Sequence, residues 1–298
     1  MSGKSGIQWT AGDDGAQGYV WNPVVGCTRV SAGCNHCYAF ALHDQRHIAW
    51  KRGRWPSAPA QYHQPFSHVQ LLPDRVDDPY HWRKPRRVFV NSMSDLFHPY
   101  VPASFINEVW MTMFHARRHT YQILTKRPER LREWTEGKAL ATGWPIEDIW
   151  PDWMWLGVSV EDQAAADERI PLLLQTPARV RFLSCEPLLG PVDLSPWLVY
   201  PGEYDKAECS LALYGRSQPL SWVIIGGESG KHARAMNPRW ALSLVEQCHA
   251  AGAPVFVKQL GTELAYLYSL KDRHGGDITE WPPDFDKVRV REWPHSEM

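Results

Sequence analysis

The sequence predicts a parallel α/β protein, built either as a barrel or as an open sheet. Three observations predict it. Short apolar, β-branched runs recur along the chain, roughly 25 to 40 residues apart, the length of a βαβ unit. Amphipathic helical patterns lie between them, and the residues that follow each run are polar.

The elements follow in order. An early strand lies near Tyr19-Val20-Trp21. The repeat proper begins with Val88-Phe89-Val90 and continues through Tyr121-Gln122-Ile123-Leu124, Trp155-Leu156-Gly157-Val158 and Val180-Arg181-Phe182-Leu183. Trp222-Val223-Ile224-Ile225 and Val255-Phe256-Val257 complete it. Between the first two runs, Ile106, Val109, Trp110 and Met113 share one helical face. Before the last run, Asn237 suits an N-cap, Pro238 the first helical position and Gly252 the stop. Ala241, Leu244, Val245 and Cys248 form the buried stripe. Residues 44–84 depart from the repeat, being rich in His, Pro, Arg and Trp. Residues 136–153 and 197–219 read as loop insertions, and 262–298 as a polar, Gly/Pro-containing tail. These are expected to decorate one domain spanning 1–298, with its core at about 7–262 and an extension over 263–298.

Composition narrows the function classes. The 298 residues are 44% hydrophobic and 22% charged, as in soluble globular chains. A net charge of −1 argues against a general polyanion binder, although it leaves room for a local basic groove. No apolar run is long enough to span a bilayer, and residues 1–6 lack a signal peptide's apolar core, so no membrane partner and a cytoplasmic location are predicted. In that compartment clustered thiols are ligands more often than disulfides. Sixteen tryptophans are expected mainly in the core and at its edges, with a few available for stacking on bases.

Three of the six cysteines, Cys27, Cys34 and Cys37, fall in one glycine-punctuated loop. Glycine precedes two of them, leaving the backbone free to turn the sulfurs toward a common point. Thiols spaced C-x6-C-x2-C can hold an iron–sulfur cluster and leave one iron open. Zinc is the competitor, closed by His36 or His43 into a Cys3His structural site. Such sites usually split into two pairs, and a second Cys-x2-Cys is missing, which favours the cluster. Cys185, Cys209 and Cys248 are scattered, and Cys185 reads as packed.

Every strand of the repeat is followed by charged or amide side chains. These are Asn91-Ser92-Met93-Ser94-Asp95, Thr125-Lys126-Arg127, Ser159-Val160-Glu161-Asp162, Ser184-Cys185-Glu186-Pro187, Gly226-Gly227-Glu228-Ser229-Gly230 and Lys258-Gln259. Singly, each has a structural explanation, such as a helix cap or a solvated charge. Together they predict a ligand-binding rim at the strands' C-terminal ends. The glycines at 226, 227 and 230 suit close approach of a phosphate or ribose, a weak signal alone.

Trp21-Asn22-Pro23-x-x-Gly26-Cys27 followed by Ser31-x-Gly33-Cys34-x-x-Cys37-Tyr38 resembles the phage Gp37/Gp68 family, catalogued as a domain of unknown function. The run 91–97, Leu124-Thr125-Lys126-Arg127-Pro128 and residues 156–161 carry the same resemblance, as do residues 182–190, 226–230 and Lys258-Gln259. It spans about 7–262 in order. The family in turn resembles radical S-adenosylmethionine enzymes, which implies a partial (β/α)6-type barrel. It implies a [4Fe–4S] cluster on Cys27, Cys34 and Cys37 and S-adenosylmethionine as cofactor. Electron transfer to that cofactor would yield a 5′-deoxyadenosyl radical, so a reductant protein is the implied partner. By position, Asn91, Ser92, Ser94 and Asp95 become candidates for the cofactor's amino group and ribose. Lys126 or Arg127 becomes the candidate for its carboxylate, and Glu161, Glu186, Glu228 and Lys258 would bind substrate or move protons. The phage association and the run His47-Ile48-Ala49-Trp50-Lys51-Arg52-Gly53-Arg54-Trp55 suggest a nucleic-acid base or nucleotide as substrate, although such a run more often marks a solvated loop. The alternative is a zinc-bearing protein that binds nucleic acid or a protein partner without radical chemistry. The oligomeric state is not legible.

Overall fold

The computed structural model describes residues 2–12, 15–198 and 220–294. The chain divides into two compact units, Met1–Arg127 and Pro128–Met298. Cys209 and most of the 197–219 insertion lie outside the described residues.

The first unit contains β1 (Gly3–Lys4), β2 (Tyr19–Trp21), β3 (Val24–Val25), α1 (Tyr38–Lys51), β4 (Gln70–Leu71), α2 (Asp78–His81), β5 (Arg87–Val90), α3 (Ala103–His115) and β6 (Thr120–Thr125). Its main strands lie in the order β1-β2-β5-β6. β1 runs antiparallel to β2, and the others are parallel, Trp21 opposite Val90 and Val90 opposite Ile123. Parallel strands are covered on both faces: consecutive residues Val88, Phe89 and Val90 of β5 are all buried, as are Tyr121, Gln122 and Ile123 of β6. β3 and β4 form a separate antiparallel pair. On α3, Ile106, Val109, Trp110 and Met113 are buried as their spacing predicts.

The second unit contains α4 (Pro128–Thr142), β7 (Met154–Ser159), α5 (Gln163–Leu174), β8 (Arg181–Cys185), β9 (Trp222–Gly226), α6 (Pro238–Ala250), β10 (Val255–Gln259) and α7 (Thr262–Leu267). The strand order is β7-β8-β9-β10. Neighbours are parallel throughout. α6 starts as its sequence requires: Asn237 Oδ1 accepts from the Arg239 amide at 3.0 Å, and Ala241, Leu244, Val245 and Cys248 are buried. Gly252 then adopts φ +69°, ending the helix in the left-handed region.

Three expectations change. The start of the 136–153 stretch is helical, because α4 runs on to Thr142; its polar surface concealed the pattern. The 47–55 run is mostly the end of α1, not a loop. Trp50 stacks on His63 with ring centres 4.3 Å apart, while Lys51, Arg52 and Arg54 stay exposed. The described part of the tail, 262–294, is folded, with Trp281, Phe285 and Val288 buried and Arg291 bridged to Phe256. Seven of the sixteen tryptophans are buried, and Trp21, Trp110, Trp150 and Trp222 are among the largest fully buried side chains.

Candidate functional site

In the first unit, three parallel strands deliver their C-terminal ends to one edge: β2 leads into Asn22, β5 into Asn91 and β6 into Lys126. The cysteine loop leaves the same edge. Gly26 at its start is required by geometry. Its φ is +104°, and a Cβ there would lie 2.3 Å from the His68 carbonyl oxygen. Its amide donates to the Met93 carbonyl at 3.0 Å, and it bridges to Ser94. Gly33 sits in a short 3-10 turn, Ala32–Cys34. Cys27 and Cys37 pack against one apolar cluster of Val25, Ala39, Phe40 and Phe66. Cys34 Sγ lies 3.8 Å from Ser31 Oγ.

Asp95 ties this edge together. Its Oδ1 accepts from the Phe97 amide at 2.9 Å and from Thr125 Oγ1 at 2.8 Å. Its Oδ2 accepts from the Lys126 amide at 3.1 Å and from Arg127 Nη1 at 2.8 Å. Arg127 continues into the cysteine loop: Nη1 lies 3.8 Å from Cys27 Sγ, and Nη2 donates to the Thr28 carbonyl and hydroxyl at 3.0 and 3.1 Å. With four donors on one carboxylate, Asp95 serves to position its neighbours. The same holds for Arg127, whose charge Asp95 first and Cys27 second hold above the ordinary arginine range, against burial. Burial, then the Asp95 charge, pushes the Cys27 thiol up to about 11, while Arg127 opposes them and Cys34 adds to them.

The rest of residues 91–95 is held as tightly. Asn22 Oδ1 accepts from the Met93 amide at 2.8 Å, and its Nδ2 donates to Ser92 Oγ at 3.2 Å. Tyr38, first residue of α1, donates from its hydroxyl to the Ser92 carbonyl at 2.6 Å. Ser94 Oγ donates to the Val24 carbonyl at 2.9 Å. Asn91 differs. It is 2% exposed, adopts φ +64°, and neither its amide oxygen nor its amide nitrogen has a hydrogen-bond partner among the described residues. A buried amide with both ends unsatisfied is costly, and a polar ligand group or an ordered water is what relieves it.

Among the described residues, no group of three or more His, Cys, Asp or Glu side chains is gathered closely enough to hold a metal ion. Three cysteine thiols are the donor type that an iron–sulfur cluster takes, each binding a different iron. His43, the candidate for closing a zinc site, is fully buried, donates from Nε2 to the Gln64 carbonyl at 3.0 Å and packs on Tyr62 and Phe66, while its Nδ1 has no hydrogen-bond partner among the described residues. Two residues went unrecognised in the sequence. His98 is buried and receives the Tyr100 amide on Nδ1, so its Nε2 donates to Thr28 Oγ1 at 2.8 Å. Its position just after the 91–97 run was the available signal; Thr28 offered none.

In the second unit, each acidic candidate has a basic partner. Glu161 and Arg169 are paired at 2.6 Å with side chains 1% and 3% exposed, and Arg169 also donates to the Ser159 carbonyl at 2.8 Å. Glu228 receives the amide, Nε and Nη2 of Arg234 at 2.8, 2.9 and 2.5 Å. Hydrogen bonding to Glu228 holds Arg234 above its usual range, and the Glu161 charge contributes less. Glu186 pairs with Lys258, and both side chains are partly open, at 18% and 20%. Asp162 is a helix cap, accepting from the Ala165 amide at 2.9 Å. Cys185 is fully buried, and burial raises its thiol far above the ordinary range. At Gly227 the turn packs closely on β10's end, where a Cβ would lie 2.1 Å from the Leu260 carbonyl oxygen.

The fold and these two clusters define an α/β protein with a cysteine-bearing loop at the strand ends. The chain belongs to the family described as Protein of unknown function (DUF5131), whose model matches residues 4–280. The match takes in part of the stretch expected to be an extension. No curated protein and no solved structure is significantly similar to the chain.

Proposed function

We propose that the chain is a radical S-adenosylmethionine-type iron–sulfur enzyme, within the phage Gp37/Gp68 resemblance and with the partial (β/α)6 barrel that the resemblance implies. The observation that carries this reading is the juxtaposition, at one strand edge, of the three-cysteine loop and the buried, unpartnered Asn91 amide. Cys27, Cys34 and Cys37 would hold a [4Fe–4S] cluster. Such a cluster, supplied by an external one-electron donor, would provide the reductive chemistry that S-adenosylmethionine cleavage and hydrogen abstraction from substrate require.

This chain's own residues have assigned roles. Asn91 offers an amide donor and acceptor to the cofactor's polar groups, and Ser92, Ser94 and Lys126 flank it. Asp95 and Arg127 orient that edge and fix the loop around Cys27. A ligated Cys27 must be a thiolate, and in the metal-free protein its thiol is held up to about 11, so cluster loading releases a proton there. Glu186 and Lys258 are the acid–base pair most open to a substrate. Glu161 and Glu228, clamped by arginine, shape their surroundings. A nucleic-acid base or nucleotide is the proposed substrate class.

The test is cofactor binding and cleavage by the anaerobically reconstituted protein. Dithionite and S-adenosylmethionine should yield 5′-deoxyadenosine, and Asn91→Ala should weaken cofactor binding at least tenfold with iron content unchanged. Unchanged affinity in that variant would remove Asn91 from the cofactor site.

A further inference from the structure

We infer that the N-terminal edge of β5 and β6 in the first unit is a docking surface for the phosphate backbone of nucleic acid. Two runs distant in sequence meet there. One is His81-Trp82-Arg83-Lys84-Pro85-Arg86-Arg87 and the other His115-Ala116-Arg117-Arg118-His119. Together they contribute Arg83, Lys84, Arg86, Arg87, Arg117 and Arg118, with no acidic residue in either, in a chain whose net charge is −1.

The runs are stitched side by side. Arg118 donates from Nε to the Trp82 carbonyl at 2.9 Å and from Nη2 to the Tyr80 carbonyl at 2.6 Å. His119 donates from Nε2 to the Pro79 carbonyl at 3.0 Å, and the Thr120 amide donates to the Arg86 carbonyl at 2.8 Å. An aromatic step backs the charges: Trp82 lies 5.0 Å from Tyr19, and Arg86 sits 4.7 Å over the Tyr19 ring. Arg83, Lys84, Arg117 and Arg118 are exposed along the rim. Burial first, then the charges of Arg118 and Arg86, keep His119 below its ordinary value, against the Pro79 hydrogen bond.

Like charges on neighbouring segments repel one another, and with Arg83, Lys84, Arg117 and Arg118 exposed on one rim a polyanion would relieve that repulsion. Arginine and lysine with half-exposed aromatics match a phosphate backbone and its bases. The surface is distinct from the cysteine loop. It lies at the opposite end of β6, about 16 Å away along the strand, and the inference does not depend on the cluster.

Fluorescence anisotropy of the full-length protein with a labelled DNA duplex of about 20 bp, between about 50 and 200 mM salt, tests it. The wild type should bind with log K falling linearly with log salt. The triple variant Arg83→Ala, Lys84→Ala, Arg117→Ala should bind at least about tenfold more weakly, with a slope shallower by about 3. Truncating Lys51, Arg52 and Arg54 at the end of α1 should leave affinity within about twofold. Three outcomes overturn the assignment: no duplex binding at the lowest salt, an equal loss in both triple variants, or binding to phosphatidylserine vesicles and not to duplex. The readout needs neither iron nor cofactor, so its failure leaves the cysteine reading standing.

Discussion

Arg127 Nη1 sits 2.8 Å from Asp95 Oδ2, with side chains only 11% and 7% exposed, and the same nitrogen lies 3.8 Å from Cys27 Sγ. This pair joins the end of β6 to the cysteine loop through a carboxylate that also holds the 91–97 turn. Asp95→Ala removes four acceptor contacts and strands the guanidinium, and should destabilise the protein by about 3–5 kcal/mol in urea unfolding. Asp95→Asn, which keeps the shape and part of the bonding, should lose less. If Asp95→Ala unfolds at the wild-type midpoint, the carboxylate does not organise this edge.

The second unit separates structural from accessible carboxylates. Removing Glu161 leaves Arg169 buried and unpaired, with an expected loss of about 3–5 kcal/mol. Lys258→Met breaks a pair that is partly open, at 20% and 18% exposed, and should cost less, about 1–3 kcal/mol, while abolishing turnover. Urea unfolding of the two variants beside an activity assay checks the contrast. Equal destabilisation would place Lys258 among the structural residues.

Two glycines should respond with opposite signs. Gly26→Ala places a Cβ 2.3 Å from the His68 carbonyl at φ +104°, and should cost about 1–3 kcal/mol or more along with iron uptake. Gly137 lies exposed within α4 with nothing inside 4 Å of its Cβ position. Gly137→Ala should therefore stabilise by about 0.5–1 kcal/mol. Thermal melts of both variants, with iron assays of the first, are the measurement.

Acid should weaken the fold through two buried histidines. Burial holds His43 and His119 below the ordinary 6.5, so the unfolded chain takes up protons there that the folded one resists. Their contribution is fully present above pH 6.5 and is lost as pH falls from there toward their folded values. His119→Gln should flatten the pH dependence of the urea midpoint below pH 6.5. An unchanged slope would assign the acid sensitivity elsewhere.

The strands were legible because parallel strands are covered on both faces and so appear as unbroken apolar runs, as Val88-Phe89-Val90 does. α6 was legible from its cap, its proline and its stripe. α4 was not: Glu133, Glu136, Gly137 and Lys138 make a largely solvated helix whose apolar contacts, such as Leu131, are sparse. For the site, local spacing marked the cysteines and the strand-end polar groups. Pairings such as Asp95 with Arg127, or Glu186 with Lys258, span 32 and 72 residues and arise only when strands pair. At Gly227 the sequence could not separate close backbone packing from close ligand approach, because both make the same demand on a side chain.

The central claim is that Cys27, Cys34 and Cys37 hold an iron–sulfur cluster. The most direct test is the iron, acid-labile sulfide and zinc content of the protein purified without oxygen, in the wild type and in a Cys27→Ala, Cys34→Ala, Cys37→Ala variant. The account predicts about four irons and four sulfides per wild-type chain, both absent from the variant. One tightly held zinc and no iron in the wild type would contradict it.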